Sequence, residues 1–177
     1  MALEIERRFR VASEAWRASV AHSSRITQGY LAITEHSVTR VRVRDSEGYV
    51  TIKSRDGGLA RQEFEYPIPL EDARALLHLC GPRVLEKIRH EVSHGGYLWE
   101  IDEYLEPLAD LILAEVELKS EAEDPPRPPW IGDEVTYDAN FSNAALALRV
   151  EALRGYQSGG TGSMTIVGAG PGKPAPL

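Results

Sequence analysis

The chain has 177 residues, of which 42% are hydrophobic and 27% charged, so it can fold around a core and is not disordered as a whole. Its net charge of −7 excludes a global positive field of the kind that nucleic acid or an acidic membrane attracts. The single cysteine, Cys80, excludes an intramolecular disulfide and a cysteine-based zinc site.

The same features predict a cytoplasmic protein without a membrane partner. One cysteine fits a reducing compartment. Glu4 and Glu6, so close to the first residue, are unlike a signal peptide. No apolar run approaches the roughly 18 residues that a membrane span requires.

Alternation of polar and apolar residues predicts about eight strands in the body of the chain. A short polar turn, 45–48, joins the third and fourth, which we expect to form a hairpin. In chain order the predicted strands are Leu3–Val11, Ile26–Ile33, Thr39–Arg44, Tyr49–Arg55, Arg61–Ile68, Val84–Val92, Tyr97–Tyr104 and Leu111–Lys119.

Helices are fewer. Apolar spacing predicts helices over Leu70–Cys80 and Asn140–Leu153, and more weakly over Ser13–Ala21. Eight mainly antiparallel strands with two or three helices indicate an α+β fold, and closure into a barrel would remove the exposed strand edges. We expect one domain over residues 1–156, followed by a flexible Gly/Pro-rich tail, 157–177.

The face of these strands opposite the hydrophobic residues is almost entirely ionised. On any single strand this pattern is typical of a solvated sheet surface. Taken together it is unusual, because carboxylates recur as same-face pairs, which repel one another unless a cation lies between them. The charged positions include Glu4, Glu6, Arg8, Arg40, Arg42, Lys53, Glu63, Glu65, Lys87, Arg89, Glu100, Asp102, Glu115 and Glu117.

This mixture of charges points to a metal-bridged polyphosphate. Paired carboxylates supply the oxygen ligands that Mg²⁺ or Mn²⁺ prefers. Lysine and arginine clusters on the same face suit a chain of phosphates. Neither a P-loop nor a nucleophile-elbow serine motif occurs, which excludes those two enzyme classes.

The motifs resemble those of the CYTH, or triphosphate tunnel metalloenzyme, superfamily over about residues 3–150. The opening segment, 4–9, is similar to the family's Glu-x-Glu-x-Lys signature, with Arg8 in place of the lysine. The similarity continues through Gln28–Leu31, Arg40–Arg42, Thr51–Lys53, Glu63–Ile68, Lys87–Arg89, Trp99–Asp102, Ala114–Leu118, Gly132–Thr136 and Asn143.

The resemblance implies a closed eight-stranded antiparallel barrel with a charged tunnel, which binds a small triphosphate together with Mg²⁺ or Mn²⁺. It implies metal ligands at Glu4, Glu6, Glu115 and Glu117, with Glu100 and Asp102 as further carboxylates. Phosphate-binding cations would be Arg8, Arg40, Arg42, Lys53, Lys87 and Arg89. It implies catalytic roles for Arg8, Glu63 and Glu65. Of these three, Glu63 and Glu65 would hold a second metal or its water.

Tripolyphosphate is the expected substrate, since no segment for recognising a base or thiamine is evident. An adenylate cyclase, a thiamine triphosphatase and a non-catalytic polyphosphate- or nucleotide-binding module are the alternatives. Arg8 should still bind phosphate, but an arginine does not readily donate its proton. Dimers occur in the family, so a homodimer is a further expectation.

Overall fold

A computed structural model describes residues 2–55 and 60–158 of the chain. The eight predicted strands are all present, with a ninth that the alternation pattern did not predict. The strands are β1 (Ala2–Val11), β2 (Val20–Ile33), β3 (Ser37–Arg44), β4 (Glu47–Ser54), β5 (Ala60–Ile68), β6 (Val84–His94), β7 (Tyr97–Tyr104), β8 (Ile112–Glu117) and β9 (Ile131–Glu134).

The strands form a closed eight-stranded antiparallel barrel, as predicted. Neighbours follow the order β5-β4-β3-β2-β6-β7-β8-β1, and β1 pairs again with β5 to close the ring. The predicted hairpin is β3–β4. The extra strand β9 pairs with the far end of β1, where Phe9 faces Glu134.

In residues 2–55 and 60–158, two helices and two short 3₁₀ segments pack around or into the barrel. Helix α1 (Leu70–Leu79) lies on the outside of β2, β3 and β4. Helix α2 (Asn143–Ser158) contacts β6 and β2. The 3₁₀ segments are Glu14–Ser19 and Ala139–Phe141.

Most of the buried apolar residues that the structure describes fall into two clusters, one outside the barrel and one at its end. The outer cluster contains strand residues such as Phe9 and Ile101 and is covered by Trp16 and Trp130. The second cluster joins α2 to strand residues that point inward, because Leu85 and Leu113 have the same parity as Lys87 and Glu115. Helix α2 therefore closes one end of the barrel, and the charged inward positions lie beyond that apolar floor.

Two predicted helices begin or end elsewhere than expected. The weak helix over Ser13–Ala21 is a 3₁₀ turn that ends at Ser19, and β2 starts at the next residue. The last helix begins three residues later than expected, because the Ser142 hydroxyl accepts a hydrogen bond from the Ala145 N–H and acts as its N-cap. This helix continues to Ser158, so the first two residues of the predicted tail are helical, and the rest of 157–177 lies outside the described residues.

No helix in the described ranges combines the length and apolar character that crossing a bilayer would take.

Candidate functional site

A cavity of about 520 Å³ occupies the interior of the barrel, and charged side chains surround it. Inward-facing positions on β1, β3, β4, β5, β6, β7 and β8 all contribute, since residues two apart project from the same face of a strand. Among the described residues that line it, nine are lysine or arginine and eight are aspartate or glutamate. The net charge of the side chains that line the cavity is therefore close to zero.

Arg8 lies between two of these carboxylates. Its Nη2 is 2.8 Å from Oε1 of Glu6 and 2.7 Å from Oε1 of Glu115, and its Nε also donates to Glu115 at 2.8 Å. Its Nη1 donates to the main-chain carbonyl of Phe141 at 3.1 Å. Every nitrogen of this guanidinium therefore has an acceptor within the protein.

The neighbouring wall holds a second cluster of ion pairs. Lys53 Nζ lies 2.6 and 2.8 Å from the two carboxylate oxygens of Glu4, and 3.6 Å from Glu63. Arg42 donates to Glu65 at 2.8 Å, and Arg40 donates to the same oxygen at 3.3 Å. This wall therefore presents lysine and arginine donors that are only partly used by the protein's own acids.

Three cavity arginines also keep a spare donor. Within the part of the chain that the structure describes, the buried Nε of Arg40, Arg42 and Arg61 has no hydrogen-bond acceptor. A buried unpaired N–H is costly, and it favours any ligand that brings an acceptor oxygen. Phosphate oxygens, like carboxylates, form strong charge-assisted hydrogen bonds with guanidinium groups.

Asp102 forms the base of a third cluster and is completely buried. Both of its oxygens accept hydrogen bonds from Arg89, each at 2.7 Å, and one also accepts from Lys87 at 2.5 Å. Arg89 continues to Glu115 at 2.7 Å and to Glu100. Asp102 thus fixes two cations from behind.

The cavity brings together thirteen of the fourteen predicted site residues, and Asp102 alone does not line it. Asp102 was predicted as a metal ligand because it has the same strand parity as Glu100, but it lies deeper and is covered by the cations it binds. Glu117 also lines the cavity, yet it is exposed and pairs with no cation in the described residues.

The pKa values of Glu6 and Glu115 shift in opposite directions, because the electrostatic environments of the two carboxylates differ. Burial raises the pKa of Glu6, and the negative charge of Glu115 raises it further, although Arg8 opposes this. Burial would also raise the pKa of Glu115, but the positive charges of Arg8 and Arg89 outweigh it and hold that pKa well below its usual range. Because the pKa of Glu6 is raised, an additional cation beside it would stabilise its charged form.

Burial has the opposite consequence for two of the bases. It lowers the pKa of Lys87 to about 8, in spite of the attraction of Asp102. It lowers the pKa of Arg42 to about 10, and the positive charge of Arg40 contributes. Both cations would be stabilised by an anion in the cavity.

Several lining residues were not predicted as site residues. Arg61 donates to Glu6 at 3.0 Å, and its parity with Glu63 was a usable signal. Asn143, the first residue of α2, accepts from Tyr104 at 2.7 Å and from Lys87 at 3.4 Å. Thr136 also lines the cavity. Asn143 and Thr136 lie outside the eight barrel strands, so strand parity could not have identified their roles.

The sequence model of the CYTH domain matches residues 2–150. The chain belongs to the CYTH family. This match covers the whole barrel and all fourteen predicted site residues, so the resemblance read from the motifs is confirmed.

Two relatives of this CYTH protein are known enzymes named inorganic triphosphatase. One, from Acetivibrio thermocellus, is 39% identical over 147 residues, which span 82% of this chain and 94% of the relative. The other, from Nitrosomonas europaea, is 38% identical over 151 residues, which span 83% of this chain and 98% of the relative.

A solved structure agrees with the sequence matches. A crystal structure of an inorganic triphosphatase superposes with a TM-score of 0.61 at 36% identity, covering 84% of this chain and 96% of that one. The CYTH barrel described above is thus shared along nearly the full length of a solved triphosphatase.

The donor set of the cavity fits a divalent cation. Glu4, Glu6, Glu115 and Glu117 supply carboxylate oxygens, the ligand type that Mg²⁺ and Mn²⁺ take. In residues 2–55 and 60–158 no three acidic, histidine or cysteine side chains are already gathered in a metal-binding arrangement, because lysine and arginine neutralise most of these acids. Binding a metal here would therefore displace internal ion pairs.

Proposed function

We propose that this CYTH protein is a metal-dependent hydrolase that converts inorganic tripolyphosphate into pyrophosphate and phosphate. The convergence of nine cations and eight acids in one cavity is the observation that carries this proposal. A fully ionised tripolyphosphate is strongly anionic, so its binding calls for cations that neutralise it and for carboxylates that hold a divalent metal beside it. The two relatives named inorganic triphosphatase support the choice of substrate.

The cations of the cavity would bind and orient the phosphate chain. Arg40, Arg42 and Lys53 share one wall with partly unused donors, and Lys87 and Arg89 are held firmly by Asp102. These groups would withdraw charge from the terminal phosphoryl oxygens as water attacks phosphorus and the bridging P–O bond breaks. Positioning and charge neutralisation are the main requirements of phosphoryl transfer.

A divalent metal would be held by Glu4, Glu6, Glu115 and Glu117, with Glu100 as a further carboxylate. When bound, it would supply Lewis-acid polarisation of the phosphate oxygens. We assign Asp102 to positioning Lys87 and Arg89, because its oxygens already accept three hydrogen bonds from them.

Glu63 and Glu65 would orient the attacking water, directly or through a second metal. Burial raises the pKa of Glu65, but Arg42, Thr51 and Arg40 outweigh it, so the net shift is downward. A carboxylate with a lowered pKa remains ionised and is a weak base. An orienting role therefore suits Glu65 better than a role as the final proton acceptor.

A substrate panel tests the proposal. Purified protein would be incubated with tripolyphosphate, ATP or thiamine triphosphate, each with Mg²⁺, with Mn²⁺ or without a divalent metal. We expect metal-dependent release of phosphate and pyrophosphate, fastest from tripolyphosphate. Cyclic AMP from ATP would show a cyclase, preference for thiamine triphosphate a thiamine triphosphatase, and saturable binding without turnover a binding module. Preference for Mg²⁺ or Mn²⁺, a homodimer, the absence of a nucleic-acid partner and a cytoplasmic location remain predictions.

A further inference from the structure

The barrel has a gap in its hydrogen-bonding ladder beside Arg8. On one edge, β1 pairs with β5 through residues 2–5 and with β9 from Phe9 onward. Between these two contacts, the main-chain N–H of Arg8 donates to Oγ1 of Thr136 at 3.0 Å. The carbonyl of Arg8 accepts from the N–H of Val135 at 2.8 Å. A side-chain hydroxyl thus takes the place of a neighbouring strand at the residue that carries a cavity cation.

The Thr136 hydroxyl has two acceptors in reach, and Glu134 is nearer than the carbonyl of Arg8, which lies 3.4 Å away. The hydroxyl donates to Oε1 of Glu134 at 2.8 Å. The carboxylate of Glu134 also accepts two hydrogen bonds from Arg7, at 2.9 and 2.7 Å, and one from Arg127 at 3.1 Å. Because a hydroxyl has one proton, its donation to Glu134 leaves the oxygen lone pairs to accept from Arg8.

The side chain of Arg8 is held at its other end by groups inside the barrel. Glu6 and Glu115 accept from its guanidinium, and the carbonyl of Phe141 accepts from Nη1. Phe141 belongs to the same segment, between β9 and α2, that supplies Thr136. This segment therefore contacts Arg8 twice, once at the backbone and once at the tip.

We propose that Thr136 is a positioning residue for triphosphate binding, which acts by fixing the backbone of Arg8 and hence the place of its guanidinium in the cavity. The inference rests on the proposed function, in which the cations of the cavity, to which Arg8 belongs, bind the phosphate chain. Thr136 also lines the cavity, but its one proton is already donated to Glu134, so it has no proton to offer a phosphate oxygen. Its influence on the ligand is therefore exerted through Arg8 and not by direct contact.

Substitutions of Thr136 in two backgrounds test this inference. Thr136→Val keeps the branched shape and removes the hydroxyl, whereas Thr136→Ser keeps the hydroxyl. Loss of one hydrogen bond predicts a KM for tripolyphosphate raised about three- to tenfold in Thr136→Val, with kcat changed less, and a KM within about twofold of wild type in Thr136→Ser. Thermal unfolding of each variant is recorded alongside.

The decisive comparison places Thr136→Val on an Arg8→Ala background. If Thr136 acts through Arg8, the rise in KM disappears there, because the guanidinium that it positions is gone. An equal rise in both backgrounds would show direct contact with the ligand and overturn the inference. A lowered Tm with unchanged KM would also overturn it, by assigning Thr136 a merely structural role.

Calorimetric titration with tripolyphosphate in the absence of divalent metal separates this inference from the proposed function. A wild-type protein that binds tripolyphosphate but releases no phosphate would defeat the proposed hydrolase. In that case the effect of Thr136 substitutions on the Kd for tripolyphosphate could still be measured. Weaker binding in Thr136→Val than in Thr136→Ser supports the positioning role, and equal binding in both overturns it.

Discussion

Glu6 on β1 and Glu115 on β8 direct a carboxylate oxygen at the same nitrogen of Arg8, at 2.8 and 2.7 Å. One guanidinium group therefore bridges two acids in the position where we propose that a divalent cation binds. Arg8 and a metal are alternative partners for the same carboxylates.

Arg8→Ala should destabilise the protein by about 3 kcal/mol, because it removes a buried cation that pairs with both Glu6 and Glu115 and leaves them only the arginine partners Arg61 and Arg89. Mn²⁺ should recover part of this loss, and the Tm of Arg8→Ala should rise more with Mn²⁺ than that of wild type. Arg25→Ala is a matched control, since Arg25 forms an exposed ion pair with Glu86 and should contribute at most about 1 kcal/mol. Equal Mn²⁺ shifts in Arg8→Ala and wild type would contradict this account.

Kinetics of Arg8 variants test its role in phosphate binding. Arg8→Lys keeps a positive charge and should retain or raise turnover, whereas Arg8→Ala should raise KM for tripolyphosphate. Initial rates over a range of substrate concentrations separate kcat from KM. Unchanged kinetics in Arg8→Ala would refute the assignment of Arg8 to the substrate.

Asp102 and Glu117 were predicted together as metal ligands, and they should respond differently to loss of charge. Asp102→Asn removes the negative charge that Lys87 and Arg89 share and replaces one acceptor oxygen with an NH₂ donor that would face these cations, so we expect a loss of about 3 kcal/mol in stability. Glu117→Gln should change stability little, because Glu117 is exposed and has no ion-pair partner among the described residues. It should raise the Mn²⁺ concentration needed for half-maximal activity.

Thermal unfolding and metal titration of these two variants provide the measurement. The proposal requires a large Tm decrease for Asp102→Asn and a shifted metal dependence for Glu117→Gln. The reverse pattern would return Asp102 to the metal site and remove Glu117 from it.

The pH profile of activity should show a decrease at alkaline pH, an alkaline limb, that is caused by Lys87. Burial lowers its pKa to about 8, so the free protein loses this positive charge as the pH rises through that value. The ratio kcat/KM for tripolyphosphate should therefore fall above about pH 8, since this ratio reports groups of the free enzyme. Lys87→Arg should remove the limb by keeping the charge, and a limb that persists in this variant would belong to another group.

The lowered pKa of Lys87 also makes the free energy of unfolding depend on pH. Between pH 8 and the ordinary lysine value of 10.5, the unfolded chain holds a proton at Lys87 that the folded chain does not hold. The contribution of Lys87 to the free energy of unfolding therefore rises with pH in this window. Denaturant titrations of wild type and Lys87→Gln would reveal this difference in slope.

Gly29 should be intolerant of a side chain. A Cβ at this position would lie 2.7 Å from Sγ and 2.8 Å from Cβ of Cys80, which follows helix α1 directly. Gly29→Ala should cost about 1–3 kcal/mol, because the end of α1 must move away from β2. Adding Cys80→Ala should recover only part of the loss in Tm, since the Cβ contact persists. Full recovery, or no loss in Gly29→Ala, would contradict the predicted clash.

Strand periodicity predicted the barrel and the inward face because its consequences are local. Whether a side chain points in or out follows from its position in the strand, and this placed Glu6, Arg8 and Glu115 correctly. Closure followed from the number of antiparallel strands and the need to remove edges. The order in which neighbouring strands pair could be determined only from the structure.

Strand periodicity could not predict how deep within the barrel an inward-pointing side chain lies. Glu100 and Asp102 have the same parity, but only Glu100 reaches the cavity, because Arg89 and Lys87 cover Asp102. The roles of Thr136 and Asn143 depend on how β9 and α2 fold back on the barrel. Strand β9 has only four residues and shows no extended alternation, so it gave no signal.

The near balance of positive and negative side chains in the cavity affects how ionic strength should act on ligand uptake. A site of unpaired cations sheds bound counterions when an anion arrives, and its affinity falls steeply with added salt. Here the arginines and lysines would exchange protein carboxylates for phosphate oxygens, so few mobile ions are released. Affinity for the triphosphate should therefore decline with salt far more gently than the number of cations around it would suggest.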